Sequence, residues 1–135
     1  VEFVRAASNS EEEFQQAVQD LHQALDIAAE KVSQSTPAEK TLVGQVDALI
    51  DTLYFTYGSF VLMGVDPERI FEIVHQANMG KIFPDGKAHF DPVTHKILKP
   101  DNWKEKYAPE PAIKKEIERQ IKAYERHKER ENRMS

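Results

Sequence analysis

The chain has 135 residues, of which 40% are hydrophobic and 30% charged, with a formal charge of −5. That length suits one domain, and that composition can bury a core and is not that of a disordered acidic coil. Cysteine is absent, which excludes disulfide frameworks and thiolate chemistry and favours an intracellular, cytoplasmic protein, and no apolar run reaches the ~18 residues of a membrane span.

No methionine precedes Val1-Glu2-Phe3, so the sequence reads as opening inside a helix that begins upstream and ends near Ala7. Ser8-Asn9-Ser10 breaks it. Ser10 is an N-cap followed by Glu11, Glu12 and Glu13, and Ser10 with Glu13 fits a capping box. The spacing of Phe14, Val18, Leu21, Leu25, Ala28 and Val32 predicts a second helix over 11–32 with one apolar stripe. Ser33 to Pro37 reads as a linker.

A third helix is expected from near Pro37-Ala38 to Met63. From Leu49 to Met63 it is apolar on nearly every side, the pattern of a helix buried centrally or packed against a partner chain. Gly64 stops it, Asp66 caps the next helix and Pro67 takes its first position. Ile70, Phe71, Val74, Ala77 and Met79 give this fourth helix an apolar face ending near Gly80. Pro84-Asp85-Gly86 is a turn, and the segments 87–90 and 95–98 flank Asp91-Pro92-Val93-Thr94 as a small β-hairpin. Residues 99–103 read as loop. A charged helix over about 112–130, with Ile113, Ile117 and Ile121 as a narrow seam, completes the chain, and residues 125–135 are expected to fray. The fold class is therefore all-α, a helical bundle with a small β-hairpin and a C-terminal helix. Residues 1–103 form the expected domain and 104–135 a helical extension.

Charge is unevenly spread: residues 1–66 hold 11 acids and 3 bases, residues 67–135 hold 12 acids and 15 bases. The acidic half argues against a nucleic-acid polymer as partner and suits divalent cations, while the basic half suits phosphates. Both halves also read as ordinary solvated helix faces. Asp47 and Asp51, four residues apart, fall on one helix face among Val46, Leu49, Ile50, Leu53 and Tyr54, residues that seek a dry core. Burying an unpaired carboxylate is costly, so a partner must compensate. Mg²⁺ would do so as a hard cation between oxygen ligands. A lysine, an arginine or a neighbouring helix end would serve equally on spacing alone. His75, Asn78 and Lys81 share a face at the end of the fourth helix, where an amide and an ammonium can hold phosphate or sugar oxygens.

Asp47-Ala48-Leu49-Ile50-Asp51-Thr52-Leu53-Tyr54-Phe55, Gly58, Gly64-Val65-Asp66 and Val74-His75-Gln76-Ala77-Asn78-Met79-Gly80-Lys81 together resemble the all-α nucleotide pyrophosphohydrolases, which include the MazG-like and phosphoribosyl-ATP pyrophosphohydrolase-like proteins. The resemblance runs well over residues 41–103 and loosely elsewhere. It implies two acidic motifs, E-E-x-x-E and E-x-x-D, that hold Mg²⁺ (or Mn²⁺) against a triphosphate. Asp51 matches the aspartate of the second motif, and Glu2 resembles the last glutamate of the first. The glutamate expected three residues before Asp51 is Ala48 here, so Asp47 would substitute, and the helix over 11–32 is inserted between the motifs.

Carried over in this way, Asp51 and Asp47 are catalytic candidates, Glu2, Asp47 and Asp51 metal ligands, and Asn78 and Lys81 nucleotide contacts. Lys99, beyond the hairpin, is a further phosphate candidate. The implied activity is Mg²⁺-dependent hydrolysis of a nucleoside triphosphate to the monophosphate and pyrophosphate by a homodimer or homotetramer, with Tyr54, Tyr57, Phe83 and Trp103 as possible base stackers. The alternatives are a non-catalytic helical module that binds nucleotide or protein, and a structural oligomerisation domain.

Overall fold

The computed structural model describes residues 1–35 and 41–134. They fold as six helices: α1 (Glu2–Ala7), α2 (Glu11–Ser33), α3 (Thr41–Met63), α4 (Glu68–Met79), α5 (Trp103–Tyr107) and α6 (Glu110–Met134). The fold is all-α. The expected start of α3 at Pro37-Ala38 lies outside the described residues. The chain divides into two units, Val1–Ala48 and Leu49–Ser135, and α3 runs through the division.

In the first unit α1 packs on α2. The Ser8-Asn9-Ser10 break is held by local polar bonds. Ser10 Oγ accepts from Glu13 N at 3.1 Å, as a capping residue should, while the Glu13 carboxylate accepts from Asn9 N at 2.7 Å. The reciprocal bond of the capping box is thus made one residue early. Arg5 ion-pairs with Glu11 at 2.6 Å and lays its guanidinium 4.8 Å from the centre of the Phe14 ring, tying one helix to the other. Beyond Val18 the apolar stripe of α2 is exposed.

In the second unit α4 packs on α6. Gly64 ends α3 with a φ of 66°, a left-handed conformation that glycine adopts without strain. Asp66 Oδ1 then accepts from Glu68 N at 3.0 Å, so Asp66 caps α4 although the helix proper begins after Pro67. The Gln120 side chain of α6 clamps the same turn from the other side: its Oε1 accepts from Asp66 N at 2.9 Å and its Nε2 donates to Asp66 O at 3.0 Å. Beneath the clamp lies Glu116, which is buried. Arg119 reaches it with two bonds of 2.8 and 2.6 Å, Gln120 Nε2 with one of 3.1 Å, and Arg69 stands 3.9 Å away.

The expected β-hairpin does not form. Residues 82–98 contain two isolated antiparallel bridges, Ile82 with Ala88 and Phe90 with Ile97, and no strand. Cross-strand bonds such as Leu98 N to His89 O at 2.8 Å are made, and side chains hold the turns around them. Asp91 Oδ1 accepts from Val93 N at 2.9 Å and from Thr94 N at 2.6 Å, and Asp85 Oδ1 accepts from Lys87 N at 3.1 Å. Proline at 84, 92 and 100 supplies no donor, and His95 takes a φ of 55°. The stretch between the turns is too short to pair further.

Two helical details also differ from expectation. A short helix, α5, opens at Trp103, the last residue of the expected loop over 99–103, and α6 starts at Glu110 and continues to Met134, where fraying was expected. α5 fits because Gly80 leaves it room. A Cβ at Gly80 would lie 2.5 Å from Cγ of the Tyr107 ring.

Glu116 links stability to pH. Hydrogen bonds from Arg119 and then Gln120 outweigh desolvation and hold its carboxyl at about 2, against an ordinary 4.5. A depressed folded-state value stabilises the fold above the unfolded pKa, and that contribution is lost as pH falls from 4.5 towards about 2. Thermal melts should therefore place Glu116→Gln below the parent at pH 7, with the gap closing across that window; parallel curves would remove Glu116 from the linkage. Gly80→Ala should lower stability by about 1–3 kcal/mol through overpacking against Tyr107, measured by denaturant unfolding.

Candidate functional site

Asp47 and Asp51 both lie on α3, one turn apart. Both are exposed, as are Val46, Leu49, Ile50, Leu53 and Tyr54 around them. The expectation of a dry environment is not met by the single chain, because no described helix packs substantially on α3. No described lysine or arginine forms an ion pair with either aspartate, nor does either cap another helix. Their oxygens remain available as hard ligands.

The donor chemistry fits a Mg²⁺ ion, which is commonly held by one or two carboxylates and completes its shell with water and substrate phosphates. Glu2 opens α1 in the first unit. Among the described residues, no group of three or more His, Asp or Glu side chains gathers where it could hold a metal.

The basic part of the site is more fully assembled. Asn78 occupies the last turn of α4 and Lys81 follows its Gly80 cap. Lys81 Nζ donates to Asn78 Oδ1 at 2.7 Å, and the negative end of the helix dipole favours the ammonium there. That bond uses the Asn78 amide oxygen and leaves its N–H groups as donors for another acceptor.

The chain then turns back so that Trp103, at the start of α5, meets α4. The indole Nε1 donates to the Ala77 carbonyl at 2.8 Å, and both residues are buried, unlike almost every other apolar side chain described. Lys99 Nζ lies 4.2 Å and Lys81 Nζ 5.8 Å from the centre of the indole. Lys99 and the Asn78–Lys81 pair, singled out from different stretches of the sequence, thus meet at one ring through the two lysines. A cleft of about 460 Å³ adjoins it, lined by Lys99, Pro100, Asp101, Trp103 and Lys104 among others.

Trp103 was expected as a base stacker, and its burial removes it from that role. Phe83 is likewise engaged, stacked on His89 at 4.2 Å, and His89 in turn pairs with Asp85 at 2.7 Å. That pairing holds the Asp85 carboxyl below its usual range. Tyr54 and Tyr57 are exposed on α3. A second, largely apolar cleft of about 510 Å³ runs between the C-terminal half of α3 and the start of α4, walled by Leu53, Tyr57, Phe60, Ile70 and Phe71. The organising part played by Trp103 was not anticipated, although a single tryptophan between Lys99 and Lys104 was the available signal.

Comparison with known proteins identifies the family. Residues 1–78 match the phosphoribosyl-ATP pyrophosphohydrolase family. A crystal structure of a candidate NTP pyrophosphohydrolase from Exiguobacterium sp. 255-15 is similar with a TM-score of 0.79 and 42% sequence identity, over 92% of this chain and 73% of that one. No curated protein matches the sequence. More than half of the chain lies within the family match, and the architecture is that of an all-α nucleotide pyrophosphohydrolase: the chain belongs to the phosphoribosyl-ATP pyrophosphohydrolase family.

Proposed function

We propose that the protein hydrolyses a nucleoside triphosphate to the monophosphate and pyrophosphate in a Mg²⁺-dependent reaction, with Mn²⁺ as an alternative ion. Family membership and the Exiguobacterium relative support nucleotide pyrophosphohydrolase activity at the level of reaction class. The observation that carries the reading is the approach of Lys81 and Lys99 to one indole, with Asn78 bonded to Lys81.

In this reading Asp51 and Asp47, with Glu2, hold the ion. The bound ion supplies neutralisation of the charge that grows on the phosphates during hydrolysis. Lys81 and Lys99 hold phosphate oxygens as point charges, and Asn78 donates to a phosphate or sugar oxygen. A spare carboxylate, outside the ion's ligands, would take the proton from the attacking water. The water oxygen bonds to the α-phosphorus, the α–β anhydride bond breaks, and pyrophosphate leaves with the bonding electrons.

Ala48, where the resemblance leads one to expect glutamate, favours a second reading: a helical module that binds nucleotide without turning it over. A pyrophosphate-release assay across ribo- and deoxynucleotides, with and without Mg²⁺, separates the two. The enzyme reading expects release that depends on the ion, and at least about a hundredfold loss of kcat/KM in Asp51→Ala. Turnover unchanged in that variant would remove Asp51 from the mechanism. Nucleotide binding with no release from any substrate would establish the module.

The active form in this proposal is a homodimer or homotetramer. Tyr54, Phe55, Val61 and Leu62 on α3 are 77, 74, 77 and 90% exposed in the single chain. A contiguous apolar face of this kind marks an interaction surface, and covering it with a second α3 would supply the dry surroundings that the aspartate pair lacks. Light scattering should give a mass that is a multiple of 15.5 kDa. Leu62→Lys should shift it towards the monomer and lower activity in parallel.

A further inference from the structure

Trp103 is one of only two buried apolar residues among those described, and two ammonium groups lie within 6 Å of its ring centre. A ring that merely filled space would not need them there. Two like charges drawn to one ring repel each other, and something must offset the repulsion. Part of the offset is the indole quadrupole, the strongest of the aromatic side chains towards cations. Asn78 Oδ1 contributes by accepting a proton of Lys81. The adjoining cleft, lined by Lys99, Trp103 and Lys104 together with the carboxylates Asp101 and Glu110, leaves room for an anion beside the lysines. The ring itself cannot shift, because its N–H is bonded to the Ala77 carbonyl inside α4.

We propose that Trp103 is the positioning residue of the phosphate site: its anchored indole holds the Lys81 and Lys99 ammonium groups as a preorganised pair for the polyphosphate of the substrate. This rests on the reading of the two lysines given under Proposed function and adds what sets their geometry. Trp103 touches no reacting atom. Its effect passes through the lysines, so it belongs to binding more than to the chemical step.

The test uses inorganic triphosphate as probe, titrated calorimetrically in buffer without divalent ions, alongside steady-state kinetics and a thermal melt for each variant. Trp103→Leu, which fills space but has neither quadrupole nor N–H, should weaken triphosphate binding by about tenfold and raise KM by a similar factor while kcat changes less. Trp103→Phe keeps a weaker quadrupole and should recover most of that loss. Lys99→Met should weaken binding in the parent and add little in the leucine background. A purely structural tryptophan would give a lowered melting temperature with additive lysine effects and no rescue by phenylalanine.

A folded Trp103→Leu with triphosphate affinity and KM within about twofold of the parent overturns the proposal, as does a parent that binds no triphosphate. Should the leucine variant not fold, Trp103→Phe carries the test through an expected loss of about threefold, and no loss overturns it. If triphosphate binding depends on Trp103 while no nucleotide is hydrolysed, the pyrophosphohydrolase reading fails and the positioning role stands. If nucleotides are hydrolysed and the Trp103 variants bind normally, the reverse holds.

Discussion

The central constraint on this protein is a helix whose apolar side chains are left exposed among the described residues. α3 carries aliphatic and aromatic residues around its circumference from Leu49 to Met63, yet its large side chains are exposed among the described residues. Hydrophobic burial contributes roughly 25 cal/mol per Å² of apolar surface removed from water, and little of that gain is realised on α3 in isolation. The aspartates that resemble the family's metal ligands lie on this same helix. In the proposed reading, whatever covers α3 also sets the dielectric around Asp47 and Asp51.

The parts of the second unit outside α3 are held by polar bonds to a degree unusual for a helical protein. Apart from Ala77 and Trp103, the buried residue is a glutamate, and Arg119 and Gln120 satisfy it. Breaking such a network from one side leaves an unpaired buried charge, so it fixes geometry more firmly than it adds net stability. Gln120 also uses both ends of its amide on the Asp66 backbone, placing α6 against the turn where α3 gives way to α4. The start of α4 is thereby fixed from outside, and its far end is fixed by the indole bond to Ala77. Between these anchors α4 presents Asn78 and Lys81 from a rigid support.

Much of this was legible in the residues. The Ser10 cap, the glycine at 64 and the apolar spacing along α4 are local signals, and local physics decided those elements. The i, i+3 spacing of Asn78 and Lys81 likewise became a direct contact. What failed depended on how far pairing extends or on distance. The segment 82–98 has a hairpin pattern, but its pairing stops at two isolated bridges between turns that side chains hold. α5 spans five residues, too few for periodicity to register, and rests on a ring packed against a glycine 27 positions away. The arrival of Lys99 beside Lys81 requires the chain to double back, which no spacing rule encodes. The surroundings of Asp47 and Asp51 could not be read either, because burial belongs to the assembled surface and the sequence specifies only the appetite for it.

Trp103 is the single tryptophan of the chain. Its indole is shielded from solvent, hydrogen-bonded through Nε1 and flanked by two cations. Ultraviolet emission from the whole molecule is consequently a local signal, sensitive to how firmly the tail is seated on α4 and to any charge brought near the lysines. The protein carries its own optical gauge at the point where a polyphosphate would arrive, without an attached dye.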